Sequence, residues 1–525
     1  MALAVVLVVA LWLRVTGLGF GLPYLYNSDE PNKVRIALDM VQKGDLNPHF
    51  FKKPTLFMYA NAALMLPYFA WAKATGKIES VGKVKAPVQL MLGVGRIDNP
   101  DLMLLGRALS AGVGMLGVGL AFVVGRRYFS RDEPALLGAL ALAVSPRHVI
   151  ESHYIETNVF VVAGLLGVCW AALKLYERGS RDDYLLTGFL VGIAASCKYT
   201  GVVGIVFFVT AHFLRSGWKV VLSRDLLLGL LAVPVGLLLG TPYALLDLPA
   251  FLKDTVFEVR HYSSGHDGFE GNAPLWYLKY AWTVEGPLMA VSLYAVYRAV
   301  RTRNERQLLL ASFPVVFYLF ISAFRVRNPQ TFLPVVPFAA LLGANALFDL
   351  AVKLRAMSGP LWQRLAGGGA LSIAVAGSVG VPLGQAIEAD RLFVGPAPRE
   401  LARVWIEENI PEGKKIALES QTPWVSSKRY RVKAYRRLIN NPAEFYVKSG
   451  VQYLVLSEAM FGRYLGDAER YPDEVKRYNE LFQRFPLIQS FADGEFEIRI
   501  LAVAAPGNEH SPTRGSERGR KRGHR

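Results

Sequence analysis

Two adjacent carboxylates, Asp29 and Glu30, stand in Tyr26-Asn27-Ser28-Asp29-Glu30-Pro31, directly after an apolar segment covering residues 1–20. Acids within hydrocarbon cost ~2.5–3.5 kcal/mol at a helix centre, so a pair kept at the mouth of a membrane helix marks either a functional site or merely the point of entry into water. A second polar group lies in SPRHVIESHYIETN, which contributes His148, Glu151, His153 and Glu156. Cations form a third: Lys198 in ASCKYTG, and Arg325 and Arg327 in AFRVRNPQTFLPVVP. Carboxylates facing cations beside a bilayer suit a reaction between a phosphate-bearing lipid and a hydroxyl. One carboxylate removes the acceptor proton while the cations hold the departing phosphate. Lys52 and Lys53 could meet the same phosphate or could anchor their loop at the headgroups. The chain contains no Walker A, no GxGxxG opening a helix after a strand, no HExxH and no CxxC.

The elements that must position these groups are membrane helices. The chain has 525 residues, of which 52% are hydrophobic and only 19% charged, a composition that excludes an ordinary soluble protein of this length. The formal charge of +17 reflects Lys and Arg gathered in cytoplasmic loops rather than a nucleic-acid surface. Cys169 and Cys197 both lie in apolar segments, so no disulfide framework is expected. Arg14 interrupts the first apolar run and no A-x-A-like site follows, which favours an uncleaved first helix.

Apolar runs suited to crossing a bilayer occur at 1–20, 103–125, 134–150, 157–176, 184–198, 200–214, 226–246, 275–297, 307–323, 331–350 and 366–386, eleven in all. Every second loop is basic: Arg126, Arg127 and Arg131, then Lys174, Arg178 and Arg181, then Arg215, Lys219 and Arg224, then Arg298 to Arg306, then Lys353, Arg355 and Arg364. That alternation puts the N-terminus in the cytoplasm and the three polar groups outside. Residues 21–102 then form a first outer loop in which 54–71, carrying Pro54 and Pro67, dips into or lies along the membrane. The expected organisation is a polytopic α-helical membrane domain, 1–389, and a small extracytoplasmic α/β domain, 390–505. The latter is read from the amphipathic PRELARVWIEENIP and the strand-like KKIALES, VQYLVLSE and FEIRILAV. A basic tail without apolar residues, 506–525, reads as disordered.

Six stretches together resemble a known family: LRVTGLGFGLPYLYNSDEP, GDLNPHFFKKPTLFMY, LLGRALSAGVGMLGVGLAFVVGRRYF, LALAVSPRHVIESHYIETNVFVV, ASCKYTG and FLPVVPFAALLGA. The chain is similar over roughly residues 1–350 to GT-C superfamily glycosyltransferases, and within them to family 39, the protein mannosyltransferase and aminoarabinose transferase type. The resemblance implies transfer of a hexosyl or pentosyl group, with inversion, from a polyprenyl-phosphate donor to an acceptor on the extracytoplasmic side. It implies Asp29 as general base, Glu30 as its helper, and Glu156 at the place of a second outer-loop acid. The chain departs from the family where relatives have Asp in that second motif: here Glu156 stands, with Glu151 as competitor. It departs again where Gln330 and Thr331 precede Phe332 in place of an arginine, which shifts phosphate binding to Arg325 or Arg327.

Other readings stay open at this level. Lys198 could be a snorkelling lysine at a helix end, and Arg325 and Arg327 could simply end a helix. His49 and His153 with Glu151 have donor types that suit a divalent ion, so a metal cofactor is an open alternative. The partners implied are the lipid-linked donor, membrane lipid, and a glycan, lipid or protein acceptor, with no nucleic acid. The competing class is a transporter or a lipid-linked-sugar flippase, for which ionisable residues in mid-helix and repeated halves are expected; the acids here sit at helix ends on one face.

Overall fold

The structure is a computed structural model that describes residues 1–217, 220–264, 268–356, 361–492 and 496–503; the basic tail 506–525 lies outside the described residues. Each of the eleven apolar runs is helical. In chain order the helices of the first four hundred residues are α1 (Ala2–Val15), α2 (Glu30–Lys43), α3 (Leu56–Ala74), α4 (Asp101–Phe129), α5 (Asp132–Val144), α6 (Pro146–His153), α7 (Asn158–Arg178), α8 (Arg181–Cys197), α9 (Ile205–Ser216) and α10 (Arg224–Gly240). They continue with α11 (Tyr243–Leu246), α12 (Leu248–Ser264), α13 (Ala273–Thr283), α14 (Pro287–Thr302), α15 (Glu305–Ser322), α16 (Pro329–Phe332), α17 (Val336–Ala356) and α18 (Leu361–Val394). A short antiparallel hairpin, β1 (Val88–Met91) and β2 (Val94–Arg96), lies between α3 and α4.

Three of the expected runs are broken, 226–246 among them at Thr241-Pro242, and for the other two the sequence says why. Run 134–150 stops at Ser145, whose hydroxyl accepts from the backbone of His148 and caps α6, with Pro146 at its first position. Run 275–297 stops at Val284-Glu285-Gly286, where Gly286 takes φ +85 and Pro287 opens α14. Both breaks place polar residues where an unbroken helix would have carried apolar ones. Among the described residues five helical stretches are long and apolar enough to cross a membrane: Asp101–Phe129, Asn158–Arg178, Tyr199–Ser216, Glu305–Ser322 and Pro329–Leu354. This is an integral membrane protein, and α3, which carries Pro67 inside it, is not one of those five.

Contacts between the helices are those of lipid-embedded bundles, in which small residues bring backbones together. A Cβ at Gly188 would strike the carbonyl of Gly229, one at Gly192 the carbonyl of Val233, and one at Gly236 the carbonyl of Phe189, so α8 and α10 touch backbone to backbone. On α4, Gly114 faces Ser152 and Arg14, while Gly125 faces Leu341 and Ala135. Among those five stretches, Asn158–Arg178 and Pro329–Leu354 are the most enclosed, each with 72% of its most apolar part buried.

The chain divides into two compact units, Met1–Glu400 and Leu401–Arg525. Helix α19 (Pro398–Asn409) begins at that divide. The second unit contains β3 (Lys415–Leu418), β4 (Arg431–Ala434), α20 (Ala443–Lys448), β5 (Tyr453–Ser457), α21 (Glu458–Leu465), α22 (Pro472–Arg484), β6 (Leu487–Phe491) and β7 (Ile498–Ala502). Its sheet runs β4-β3-β5-β7-β6, with β4, β3 and β5 parallel and the last two antiparallel. Strands β3, β5 and β7 are those expected from sequence. Strands β4 and β6 are edge strands without a buried residue; β4 alternates over only four residues and β6 does not alternate.

At the end of β3, Glu419 is fully buried and accepts from the backbone of Leu438 (3.0 Å) and Ser457 (3.3 Å) and from the Tyr478 hydroxyl (2.8 Å). Burial outweighs these donors and pushes its carboxyl up to about 7. The folded state therefore holds a proton that the unfolded chain releases near its ordinary carboxylate value. This contribution to stability is complete below that value and is lost as pH rises through about 7. Thermal unfolding followed between pH 5 and 8 should show stability falling with rising pH, by an amount on the order of 3 kcal/mol, and Glu419→Gln should flatten that dependence.

Candidate active site

The site is built where the N-terminus of α2 meets the turn between α6 and α7. Pro31 in the first turn and Gly44 at φ +67 after the last one fix the limits of α2. Asp29 is its N-cap and is exposed, and among the described residues its carboxylate has no partner. Glu30, one residue on, is fully buried. It takes two hydrogen bonds from Arg107, at 3.0 and 2.9 Å, and a third from the backbone of Ile155 at 3.0 Å. Arg107 completes its set on the carbonyls of Leu18 and Phe20, 2.9 Å each, with its guanidinium 3.7 Å from the centre of the Phe20 ring. The two neighbouring acids thus have opposite surroundings: one anchors, the other is open.

One turn further along α2, Lys33 is buried and pairs with Glu156 in the α6–α7 turn. Burial alone would raise the Glu156 carboxyl, but Lys33 first, then Lys53 and Lys198, hold it below the usual carboxylate range. Lys198 donates to Asn158 Oδ1 at 2.7 Å, and Asn158 donates to Glu151 at 2.6 Å. Glu151 is also paired with Arg147, and Arg147 reaches Gln330 at 3.3 Å. A polar chain therefore runs from Lys198 through Asn158, Glu151 and Arg147 to Gln330 of α16, separate from the Lys33–Glu156 pair.

Lys53 and Lys198 are 145 positions apart in sequence and are stitched together by hydroxyl groups. Thr55 donates to the Gly240 carbonyl at 2.8 Å, its backbone lies 3.3 Å from Thr241 Oγ1, and Thr241 is 2.8 Å from Ser196 Oγ. Tyr199 adds a second tie, donating to the Phe51 carbonyl at 2.8 Å. Both lysines, with Lys52, line a cleft of about 380 Å³ whose other walls are mainly apolar, among them Val259, Phe317, Phe320, Ile321 and Phe324. Lys52 is steered within it by the Phe257 ring, 3.8 Å from its ammonium. An apolar slot that ends at ammonium groups is shaped for an amphiphile with an anionic head.

The structure brings Glu156, Lys52, Lys53 and Lys198 together. It does not bring Arg325 and Arg327 to this cleft: Arg325 is exposed, and Arg327 lies over Gly271, where a Cβ would meet its guanidinium. The backbone of Arg327 donates to Phe269 at 2.8 Å. The metal candidates are not gathered either. His49 lies 2.9 Å from Asp45 in an exposed loop, both ring nitrogens of His153 face the carbonyls of Val149 and Thr16, and Glu151 is engaged by Arg147 and Asn158. Among the described residues no three His, Cys, Asp or Glu side chains could share an ion. Sequence reading passed over Lys33, Arg107, Arg147 and Asn158. Arg147 carried a readable signal, a basic residue in a loop assigned to the outer face, whereas Arg107 lies within an apolar helix with nothing local to name its partner.

Residues 101–243 match the family model of dolichyl-phosphate-mannose-protein mannosyltransferases. Among solved structures the chain is similar to ArnT from Cupriavidus metallidurans bound to undecaprenyl phosphate, with a TM-score of 0.54 and 16% identity, covering 97% of this chain and 98% of that one. It is also similar to the oligosaccharyltransferase of Archaeoglobus fulgidus in its apo form, with a TM-score of 0.51 and 14% identity over 88% of this chain and 70% of that one. The archaeal oligosaccharyltransferase AglB from Archaeoglobus fulgidus, in complex with an inhibitory peptide and a dolichol-phosphate, gives 0.50 and 12%, covering 90% and 72%. No curated protein matches the chain by sequence. The fold is of the class that the ArnT and archaeal oligosaccharyltransferase structures share. Within that class, the stretch from α4 to the start of α11 carries the sequence pattern of the mannosyltransferase family.

Breaking a buried pair strands a charge and costs ~3–5 kcal/mol. Glu30→Gln and Arg107→Met should each lower the unfolding free energy of the protein in nanodiscs by about 3 kcal/mol or more. Asp29→Asn, which keeps a good N-cap on an exposed position, should shift it by less than about 1 kcal/mol.

Proposed function

We propose that the chain transfers a sugar, with inversion, from a polyprenyl-phosphate-linked donor to an acceptor hydroxyl on the extracytoplasmic face of the membrane. The observation that carries this reading is the apolar cleft closed by Lys53 and Lys198 beside Glu156 and the end of α2. The isoprenoid tail occupies the apolar walls and the phosphate meets the two ammonium groups. Support comes from the fold: the similar ArnT structure is bound to undecaprenyl phosphate and the archaeal one to a dolichol-phosphate.

In this reading Asp29 accepts the proton of the attacking hydroxyl as the oxygen bonds to the anomeric carbon. The bond from that carbon to the phosphate oxygen breaks, and both of its electrons leave with the polyprenyl phosphate. Lys53 and Lys198 lie against the charge that appears there. Glu156 is a positioning residue: it neutralises part of a cluster of three lysines and holds Lys33 against the α6–α7 turn. Glu30 acts through its clamp on the same turn and does not reach the substrate. Residues 1–389 form the catalytic membrane part with eleven crossings. Residues 54–71 do not cross, and residues 390–505 are extracytoplasmic. Compact loops favour a prokaryotic plasma membrane.

Transfer from a panel of radiolabelled polyprenyl-phosphate sugars should be measured for the wild-type chain and for Asp29→Asn at matched expression. Loss of the base should lower turnover by about 10²–10⁴-fold. Equal transfer by both would remove Asp29 from the chemistry. Undecaprenyl phosphate at a hundred times its Kd should stabilise the wild-type chain by ~2.7 kcal/mol in thermal unfolding. That protection should shrink for Lys53→Ala and for Lys198→Ala, with the donor KM raised about tenfold or more.

A further inference from the structure

A second opening lies at the far end of α7 from the donor lysines. Asn158, which Lys198 contacts, and Glu177 stand near the two ends of that helix, nineteen positions apart, and so about 28 Å from each other along its axis, close to the thickness of the hydrocarbon. Around Glu177 the last turns of α4 and α7 and the first turn of α15 enclose an open trough of about 510 Å³. Its lining carries three guanidiniums, Arg126, Arg127 and Arg306, and one carboxylate. Glu177 is shared, 2.6 Å from Arg127 and 3.1 Å from Arg306, so neither of these arginines has an acid to itself. Arg126 pairs with Asp132 at 2.9 Å, but both side chains are more than half exposed and such a pair contributes little. The neighbouring Glu305 carboxylate accepts from the Tyr176 hydroxyl at 2.6 Å. The Nε of Arg127 is buried and, among the described residues, has no acceptor.

The apolar side of the trough is continuous with the exposed surface of α4. Phe122, Val123 and the Trp170 ring line it, and Val123 is 45% exposed. One heptad earlier Leu116, 54% exposed, lies on the same face of α4, so an uncovered apolar stripe leads up to the arginines. The Trp170 ring has two cations against it, the Lys174 ammonium 4.7 Å and the Arg127 guanidinium 5.8 Å from its centre. Lys174 is itself 3.8 Å from Asp183. Apolar stripe, aromatic ring and guanidiniums follow one another along α4 in the order in which a phospholipid presents its chain, its glycerol and its phosphate.

We propose that this trough binds the phosphate of an anionic phospholipid, with an acyl chain lying along α4. The site is separate from the donor cleft and does not depend on the reaction proposed above. Planar guanidiniums grip phosphate oxygens in pairs, and the two that share Glu177 keep N–H groups to spare. A zwitterionic headgroup brings an ammonium of its own against three arginines, so the trough selects lipids of net negative charge. A soluble phosphate meets the same guanidiniums but gains nothing from Phe122, Val123 and Leu116. In the orientation proposed above, this end of the bundle meets the cytoplasmic leaflet. A headgroup seated there ties the ends of α4, α7 and α15 together through one anion.

The full chain in detergent micelles would be titrated with phosphatidylglycerol and with phosphatidylcholine of the same acyl chains, the lipid retained being counted by native mass spectrometry. The wild-type chain should hold phosphatidylglycerol about tenfold or more tighter. Arg126→Gln together with Arg306→Gln, which leaves Arg127 on Glu177, should remove that preference. Arg301→Gln together with Arg303→Gln takes the same charge from the exposed end of α14, outside the trough, and should leave the preference as it was. Val123→Trp changes no charge and fills the apolar wall, so it tests the site independently and should weaken retention too. Thermal unfolding of each variant checks that it is folded. Equal retention of the two lipids by the wild-type chain overturns the site. An equal loss in both arginine pairs overturns it as well, because it leaves only a general basic surface. Retention that survives Val123→Trp and is displaced by inorganic phosphate overturns the phospholipid as the ligand.

Discussion

The Glu30–Arg107 pair is the constraint on which the remainder of the site depends. Each ion has its full complement of partners: the carboxylate takes the guanidinium fork and the Ile155 amide, and the guanidinium adds two carbonyls and the Phe20 ring. A buried pair contributes little net stability when compared with apolar groups of the same shape, yet it is strict about geometry. Here one pair fixes three segments at once: the irregular chain from Leu18 to Glu30, the body of α4, and the turn that carries Glu156. The position of Asp29 follows from that clamp, because its neighbour cannot move.

The second constraint is charge balance. Lys33, Lys53 and Lys198 all act on Glu156, Lys198 is tied through Asn158 to Glu151, and Lys53 and Lys198 line the mainly apolar cleft together with Glu258. In the proposed reaction the phosphate meets these lysines rather than Arg325 or Arg327, to which the departure from the family pattern pointed and which do not line the cleft.

Much of the fold was legible because hydrophobicity is a strong local signal. All eleven apolar runs became helices, and the three strands with buried residues in the second unit were recognisable from composition. What escaped was set by partners far away in sequence. Ser145 and Gly286 break their runs through capping and a left-handed backbone, local features that a hydropathy window averages out. Arg107 reads as an intruder in an apolar helix until Glu30 is placed beside it. The tie from Lys53 through Thr55, Thr241 and Ser196 to Lys198 joins three stretches of chain by hydroxyl groups, and hydroxyls leave no mark in a charge or hydropathy pattern. Asp29 was readable from its motif, and the contrast between it and Glu30 was not, since only burial separates two adjacent acids.

The glycine contacts between α8 and α10 have a mechanical meaning. Two helices that touch along their backbones, with Ala194 of α8 also packed on Gly164 of α7, cannot slide or rotate past one another without collision, so they form a stiff plate. Lys198 is mounted at one end of that plate and Thr241 at the other helix's end beside it. Compliance in the cleft is thereby confined to four methylenes of a lysine and to the loops that face it. In the proposed reaction, isoprenoid tails of differing length can therefore be exchanged at the apolar end without altering where the phosphate comes to rest.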